Sequence, residues 1–414
     1  MFLNKNAKYC RRFFGAPERF VNFGKLFCYK NIMDSPFIYD KYVTGKNFIG
    51  RKGDCAILSN MLVQGENICI YEPPRSGKTS LVQQTLFNMR MSGKQFLAGE
   101  FSALSIRTAE AFVCALGSTV VRMLAATPSE YGEIIGRYLG GTHFVFDPGN
   151  FSDHDEVVSM NWDLEPSDIE AMLRLPYRLA RDRRTRMILI IDEFQDILLA
   201  DGGDDLLREM DRIVKDESPG SGFSYIFSGS MVNAMKDIFE VKGRFYRHVE
   251  RVTLQKVDER EIADHVIKGF LSSGKVMERN LLLGACRLLR NNLWYINHFV
   301  AICDSKSKGY IMEPVLVEAL SSIISLHEWR FRDMMNGLTT HQVNLLRAIV
   351  DGCTKFSGSE VVRKYSLNSS ANVKRVKDAL MKKEIVTFTR EDEPVILDPL
   401  FEYWVKKHYF GIKD

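Results

Sequence analysis

The chain has no Cys-x-x-Cys pair and no cysteine clustered closely with histidine, although it holds eight cysteines. Zinc-binding and dithiol redox spacings are thereby excluded, and the thiols read as small apolar residues in a reducing compartment. No uninterrupted apolar run approaches the roughly 18 residues that a membrane-crossing helix requires. The leader also lacks the apolar centre of a signal peptide. The expectation is therefore a cytoplasmic protein with no membrane partner. Nor is the composition biased: 45% hydrophobic and 26% charged residues exclude a disordered, collagen-like or coiled-coil chain. At 414 residues, two or three domains are expected rather than one.

The net charge of +4 is unevenly spread. Residues 1–32 carry seven Lys or Arg against one acid, and residues 339–414 carry thirteen bases against ten acids, so the span between them is net acidic. Aromatics are interleaved with the bases of the leader, which fits a nucleic-acid-binding or amphipathic arm, or an Arg-rich transit peptide. The favoured reading is an upstream extension ahead of a true start at Met33. The expected division is a basic extension over residues 1–36, a first domain over 37–256, a second over 257–337 and a third over 338–414.

From about residue 45 short apolar runs alternate with helical patterns. The runs are Asn67–Tyr71, Gln95–Ala103, Met187–Ile191, Phe223–Phe227 and Val249–Leu254, and a helix is expected over Thr79–Met91. That alternation indicates an α/β fold with a parallel sheet covered on both faces. Gly132 to Glu165 shows no sustained period and reads as an inserted loop. Strand signals stop after Leu254, and residues 258–335 read as a small helical domain with stripes such as Ile262, Val266, Phe270 and Leu271. A fresh unit follows at Gly337: a helix capped by Thr340, a second near Ser359–Tyr365, a third from Ser370 to Lys383, then strands Ile385–Thr389 and Val395–Leu397. Three helices and a hairpin are the layout of a winged helix.

The strongest chemical signal is Glu72-Pro-Pro-Arg-Ser-Gly-Lys-Thr-Ser-Leu81, a strand end leading through a tight turn into a helix. Backbone N–H groups of such a turn, with the helix N-terminus, wrap phosphates. Lys78 would reach the β/γ-phosphate oxygens, Thr79 would hold Mg²⁺, and Gly77 would let the backbone approach the phosphate closely. Glu72 stands where the pattern G-x-x-x-x-G-K-[ST] has glycine. Pro73 and Pro74 supply no N–H, so the cradle rests on the amides from Arg75 to Ser80. The second signal is Met187-Ile-Leu-Ile-Ile-Asp-Glu193, an apolar strand ending in two carboxylates. Neighbouring strand residues face opposite ways, so Asp192 can serve Mg²⁺ through water while Glu193 polarises an attacking water.

With these two motifs, residues 37–410 resemble the archaeal-type P-loop ATPases related to the AAA+ and STAND classes. The resemblance implies an AAA+/STAND-like P-loop sheet, a helical lid and a C-terminal winged helix, with ATP and Mg²⁺ as ligands. It implies that Phe48-Ile-Gly-Arg51 packs near adenine, placing Ile49, Gly50 and Arg51 in the nucleotide set with Pro74, Arg75, Ser76, Gly77, Lys78, Thr79 and Ser80. Phe227-Ser-Gly-Ser230 is similar to the sensor segment, with Ser228 and Ser230 as candidates for watching the γ-phosphate. Gly243-Arg244 occupies the place of an arginine finger, which implies catalysis by Lys78, Glu193 and Arg244 in an oligomer. The adenine-contacting Gly-x-Pro-aromatic motif is reduced here to Asn291-Asn-Leu-Trp-Tyr295, where Trp294 or Tyr295 can equally serve the core. The family's closing Asp-Pro-aromatic signature is similar to Asp398-Pro-Leu-Phe401.

Lys374, Arg375 and Lys377 lie on the third winged-helix helix, away from Val373, Val376 and Leu380, where they could meet duplex DNA phosphates or a protein partner. Three functions follow: a Mg²⁺-dependent ATPase of low turnover acting as a nucleotide-driven switch, an ATP-regulated DNA-binding protein, and a nucleotide-binding adaptor that does not hydrolyse. The first is favoured. ATP over GTP rests on the resemblance; no Asn-Lys-x-Asp sequence argues for guanine.

Overall fold

A computed structural model describes residues 35–148, 157–217 and 220–412. The leader, with Cys10 and Cys28, falls almost wholly outside the described residues. Helix α1 (Lys52–Gln64) precedes strand β1 (Asn67–Tyr71), then come α2 (Lys78–Met91), β2 (Leu97–Ser102), α3 (Ala109–Leu124) and α4 (Pro128–Leu139). Two strands of two residues each, β3 (Phe144–Val145) and β4 (Ser159–Met160), pair antiparallel. After them run α5 (Pro166–Arg183), β5 (Met187–Asp192), α6 (Gly203–Asp216), β6 (Phe223–Gly229), the short α7 (Val232–Lys236) and β7 (Val249–Arg251). Strands β2, β5, β6, β1 and β7 form one parallel sheet in that order.

The sequence explains the order of burial. All seven residues of β6 are buried and β5 is buried up to Asp192, as continuous apolar runs in a two-sided parallel sheet require. Edge strand β2 is no more than half-buried. Two separate apolar clusters lie on the two faces. One gathers Phe112, Tyr177, Phe194, Phe227 and Phe245; the other gathers Leu58, Ile70, Leu81, Ile190 and Val252.

The expected loop between Gly132 and Glu165 is corrected. Residues 132–139 of it continue α4, and the short strands β3 and β4 pair within it. Thr127 starts α4 with a capping box to Glu130, and Tyr131, Ile134, Ile135 and Tyr138 give it a buried face. Thr127 lies just ahead of the span read as irregular, and the strands are too short to show a period.

Beyond β7 come α8 (Glu259–Ser272), β8 (Val276–Met277), α9 (Arg279–Leu288), α10 (Leu293–Lys306), β9 (Tyr310–Ile311) and the long α11 (Glu313–Asn336). Strand signals do not stop entirely after Leu254, since β8 and β9 pair in parallel. The last unit holds α12 (Thr340–Val350), α13 (Ser359–Lys364), α14 (Ser370–Lys382), β10 (Val386–Phe388), β11 (Pro394–Ile396) and α15 (Pro399–Trp404). Its first helix is capped by Thr339 rather than Thr340, through a capping box with Gln342.

The helical unit and the winged helix share one continuous apolar core, running from Val266 and Phe299 to Leu380 and Val405. Phe331 of α11 stands 5.6 Å from the rings of both Phe401 and Trp404. The six described cysteines are free thiols, five of them buried. Among the described residues no single helix is long and apolar enough to cross a membrane.

Candidate nucleotide site

Strand β1 delivers the chain to a loop at Glu72–Gly77, and α2 begins at Lys78. The left-handed backbone positions of this loop are Arg75 at φ +65° and Gly77 at φ +94°, and Glu72 is not among them. Glutamate is therefore tolerated in the glycine position because the backbone there has an ordinary conformation. Gly77 is different: a Cβ would stand 2.8 Å from a terminal nitrogen of Arg51. Lys78 is buried and donates to the carbonyls of Glu72 at 2.8 Å and Pro73 at 3.2 Å. Burial lowers its pKa, against the opposing charges of Glu193, Asp192 and Glu72.

Arg51 supports this loop from the side. Its guanidinium donates to the Ser76 carbonyl at 2.9 Å and to that of Gln255 at 3.0 Å, tying the loop to the chain after β7. Burial lowers its pKa. The Ser76 hydroxyl is buried with no partner in the loop.

Strand β5 brings Asp192 and Glu193 to the same end of the sheet. Glu193 has φ +49°, and one oxygen of its carboxylate accepts three hydrogen bonds: from the Ser230 hydroxyl at 2.6 Å, the Ser230 amide at 3.1 Å and the Gln195 side-chain amide at 2.8 Å. Ser230 directly follows β6, so the ends of adjacent strands place Glu193 and Ser230 together. Ser228 is buried two residues earlier, within β6, and does not line the site.

These groups enclose a cavity of about 320 Å³. Its lining includes Ile49, Arg51, Pro74, Arg75, Ser76, Gly77, Lys78, Thr79, Ser80, Asp192, Glu193 and Ser230. Gly50 is not part of the lining; it turns with φ +65° where a Cβ would meet Val257 at 2.7 Å. Arg244 is also elsewhere. It is paired with Asp204 at 2.6 Å within the same chain, with its side chain only 10% exposed. A role in a neighbouring copy's site would require this pair to open.

Two further parts of the lining are a segment that sequence reasoning missed and an aromatic that it left open between two positions. The first is a strap, Ile38–Val43, anchored by Phe37 in the helical core. It is pinned where the Ser80 hydroxyl accepts from the Val43 amide at 3.1 Å and where Asn297 donates to the Ile38 carbonyl at 3.0 Å. The second is Trp294 with Leu293 and Asn297 on α10, a helix capped by Asn292. The Arg75 guanidinium carbon lies 3.9 Å from the centre of the Trp294 ring. Trp294 is thus a wall of the cavity, while Tyr295 beside it is core. The Tyr295 hydroxyl bonds both Asp398 oxygens, at 2.8 and 2.9 Å, and Arg330 closes on Asp398 at 2.6 Å. Asp398 also caps α15, so the Asp-Pro-aromatic signature joins winged helix to lid. An aromatic following a capping Asn was the available signal, but only the fold shows which of two adjacent rings faces the cavity.

The winged helix also reaches the sheet domain. Glu384 accepts from the amides of Asn233 at 2.8 Å and Ala234 at 3.0 Å, at the start of α7, three residues beyond Ser230. Burial pushes the Glu384 carboxyl up to about 7. Of the three basic residues expected to face DNA, Lys374 and Arg375 are exposed, whereas Lys377 is paired with Asp392 at 2.7 Å and lies over the Phe388 ring.

A family model described as a probable winged helix domain matches residues 329–407. Among solved structures, the Walker-type ATPase of Pyrococcus abyssi aligns with a TM-score of 0.62 at 15% identity, covering 90% of this chain and 99% of that one. The chain has the fold of the P-loop NTPases, with a winged helix over residues 329–407. A second likeness is the Aeropyrum pernix ORC2 protein, solved as ADPNP–ADP complexes, with a TM-score of 0.50 at 13% identity over 86% of this chain and 93% of that one. No curated protein matches the sequence. Within this fold the donor set suits a phosphate chain: the N-terminal amides of α2, a buried lysine, and a Ser76 hydroxyl with no partner among the described residues. Thr79 and Asp192 offer the hard oxygens that Mg²⁺ takes.

Proposed function

We propose that the protein binds ATP in this cavity and hydrolyses it slowly, as a conformational switch. The observation that carries the reading is the convergence of Lys78, Thr79, Asp192, Glu193 and Ser230 from three neighbouring elements on one cavity. Amides of Arg75–Ser80 and the Lys78 ammonium would bind the β- and γ-phosphates, and Thr79 and Asp192 would hold Mg²⁺. The metal would neutralise phosphate charge and orient the phosphate chain. Glu193 would accept a proton from the attacking water once its oxygen exchanges Ser230 and Gln195 for that water. Its three existing hydrogen bonds support a low turnover.

ATP rather than GTP follows from the family resemblance. The lid and winged helix share one core, so nucleotide contacts at Trp294 and the strap would move both together. An oligomeric active state would rest on Arg244, whose pairing with Asp204 does not favour it. DNA contact through α14 reduces to Lys374 and Arg375, and no further observation favours it. The test is titration with a fluorescent ATP analogue in Mg²⁺. The intact chain should bind, and Lys78→Ala should weaken binding about tenfold or more, as loss of a buried charge partner to phosphate does. Equal binding by both would reject the site.

A further inference from the structure

We propose that Arg75 is a catalytic residue of this site, supplying from within the same chain the cation that opposes charge on the transferred phosphoryl group. The proposal rests on the ATPase reading above and names the group that completes it.

The basic side chains near the cavity are differently employed. Lys78 caps its own loop through the Glu72 and Pro73 carbonyls, and Arg51 is spent on the carbonyls of Ser76 and Gln255. Arg244 is held by Asp204 outside the cavity. Lys41 lines the cavity from the strap, not from the phosphate loop. Arg75 alone combines a place on that loop with a guanidinium that has no carboxylate partner among the described residues. Its head lies 3.9 Å over Trp294. An aromatic face holds a cation in place without neutralising it, so the charge stays available to an incoming anion.

The backbone adds an independent observation. Arg75 sits at φ +65°, a conformation that glycine adopts freely and arginine does not. A side chain kept at a strained loop position, on the cavity that Glu193 and Thr79 also line, points to a use for that side chain. In the reaction, the water oxygen forms a bond to the γ-phosphorus and the bond to the β–γ bridging oxygen breaks. ADP leaves with that bond's electrons, and a water proton passes by way of Glu193 to the released phosphate. Arg75 exchanges no proton; it meets the charge on the γ-phosphate oxygens.

The test uses Arg75→Gly, which suits the loop's φ and removes the whole side chain with its guanidinium, with Arg75→Lys as the charge-retaining comparison. Calorimetric titration should show ADP affinity within about twofold of the unaltered chain and affinity for a non-hydrolysable ATP analogue lower by about tenfold or more. Phosphate release should fall by about tenfold or more in Arg75→Gly, recover in part in Arg75→Lys, and have a specific rate independent of protein concentration.

A smaller fall in phosphate release, an equal loss of ADP and ATP-analogue affinity, or a specific rate that climbs with protein concentration would overturn the proposal. Lys78→Ala and Glu193→Gln run in parallel separate the two readings. If they abolish turnover while Arg75→Gly does not, the ATPase reading stands and the role of Arg75 falls. If the unaltered chain releases no phosphate, both fall.

Discussion

Glycine matters at one position of the phosphate loop and not at another. Glu72 replaces the first glycine of the motif without a left-handed backbone, whereas Gly77 combines φ +94° with a Cβ direction blocked by Arg51. Gly77→Ala is expected to displace Arg51 from the Ser76 carbonyl and to lower nucleotide affinity by about tenfold or more, equivalent to at least ~1.4 kcal/mol. Titration calorimetry checks it.

A second residue-scale test concerns His298 and His327, packed with Trp294. Burial holds both imidazoles down to about 4; His298 also feels His327 and Arg75, and His327 feels Arg75 and Arg330. One buried nitrogen of each ring has no partner. Both folded values lie below the unfolded value of about 6.5, so the unfolded chain binds more protons between pH 4 and 6.5. The pair's contribution to stability should therefore be fully present above about pH 6.5 and fall as pH drops towards 4, by up to ~1.4 kcal/mol per histidine per pH unit. Urea midpoints across that range should show the slope, and a double His→Phe variant should lose it.

At the scale of elements, α7 links the Ser230–Glu193 pair to the winged helix, since Ser230 holds Glu193 and the next turn donates two amides to Glu384. Glu384→Ala leaves those amides unpaired and should cost about 1–2 kcal/mol. Faster hydrogen exchange in α7 and β10 than elsewhere would show it; uniform exchange would contradict it. The folded carboxyl lies near 7, above its ordinary value of 4.5, so its contribution is present below about pH 4.5 and lost as pH rises through 7. That sign opposes the histidine pair, so the histidine slope is best read in a Glu384→Gln background.

Elements with strong local patterns were legible in the sequence. Strands β1, β5 and β6 are apolar runs found within two residues of where they were expected, and the winged helix followed from caps and a turn. Helix α4 and the β3–β4 pair were missed because their burial depends on distant partners. The motif half of the site was legible because Pro74–Ser80 and Asp192–Glu193 are contiguous. The strap was not, because it reaches the cavity from some 35 residues before the phosphate loop; Trp294, over 200 after it, was named together with Tyr295, and only the fold chooses between the two rings. Arg244 shows the converse: its place in the chain suggested a finger, but Asp204 on α6 claims it.

For the whole molecule, two bodies meet at the cavity beside the P-loop. One is the parallel sheet with its phosphate loop; the other is the lid and winged helix on a single core. They touch through Arg75 on Trp294 and through Glu384 on α7, so under the proposed function a nucleotide bound between them would shift their packing. Whether the site performs chemistry is the central claim. Steady-state phosphate release from ATP in Mg²⁺ tests it most directly, comparing the unaltered chain with Lys78→Ala and Glu193→Gln. The account requires slow, Mg²⁺-dependent release that falls by about 100-fold or more in both variants, with ATP binding retained only in Glu193→Gln. Release unchanged by either substitution would contradict it.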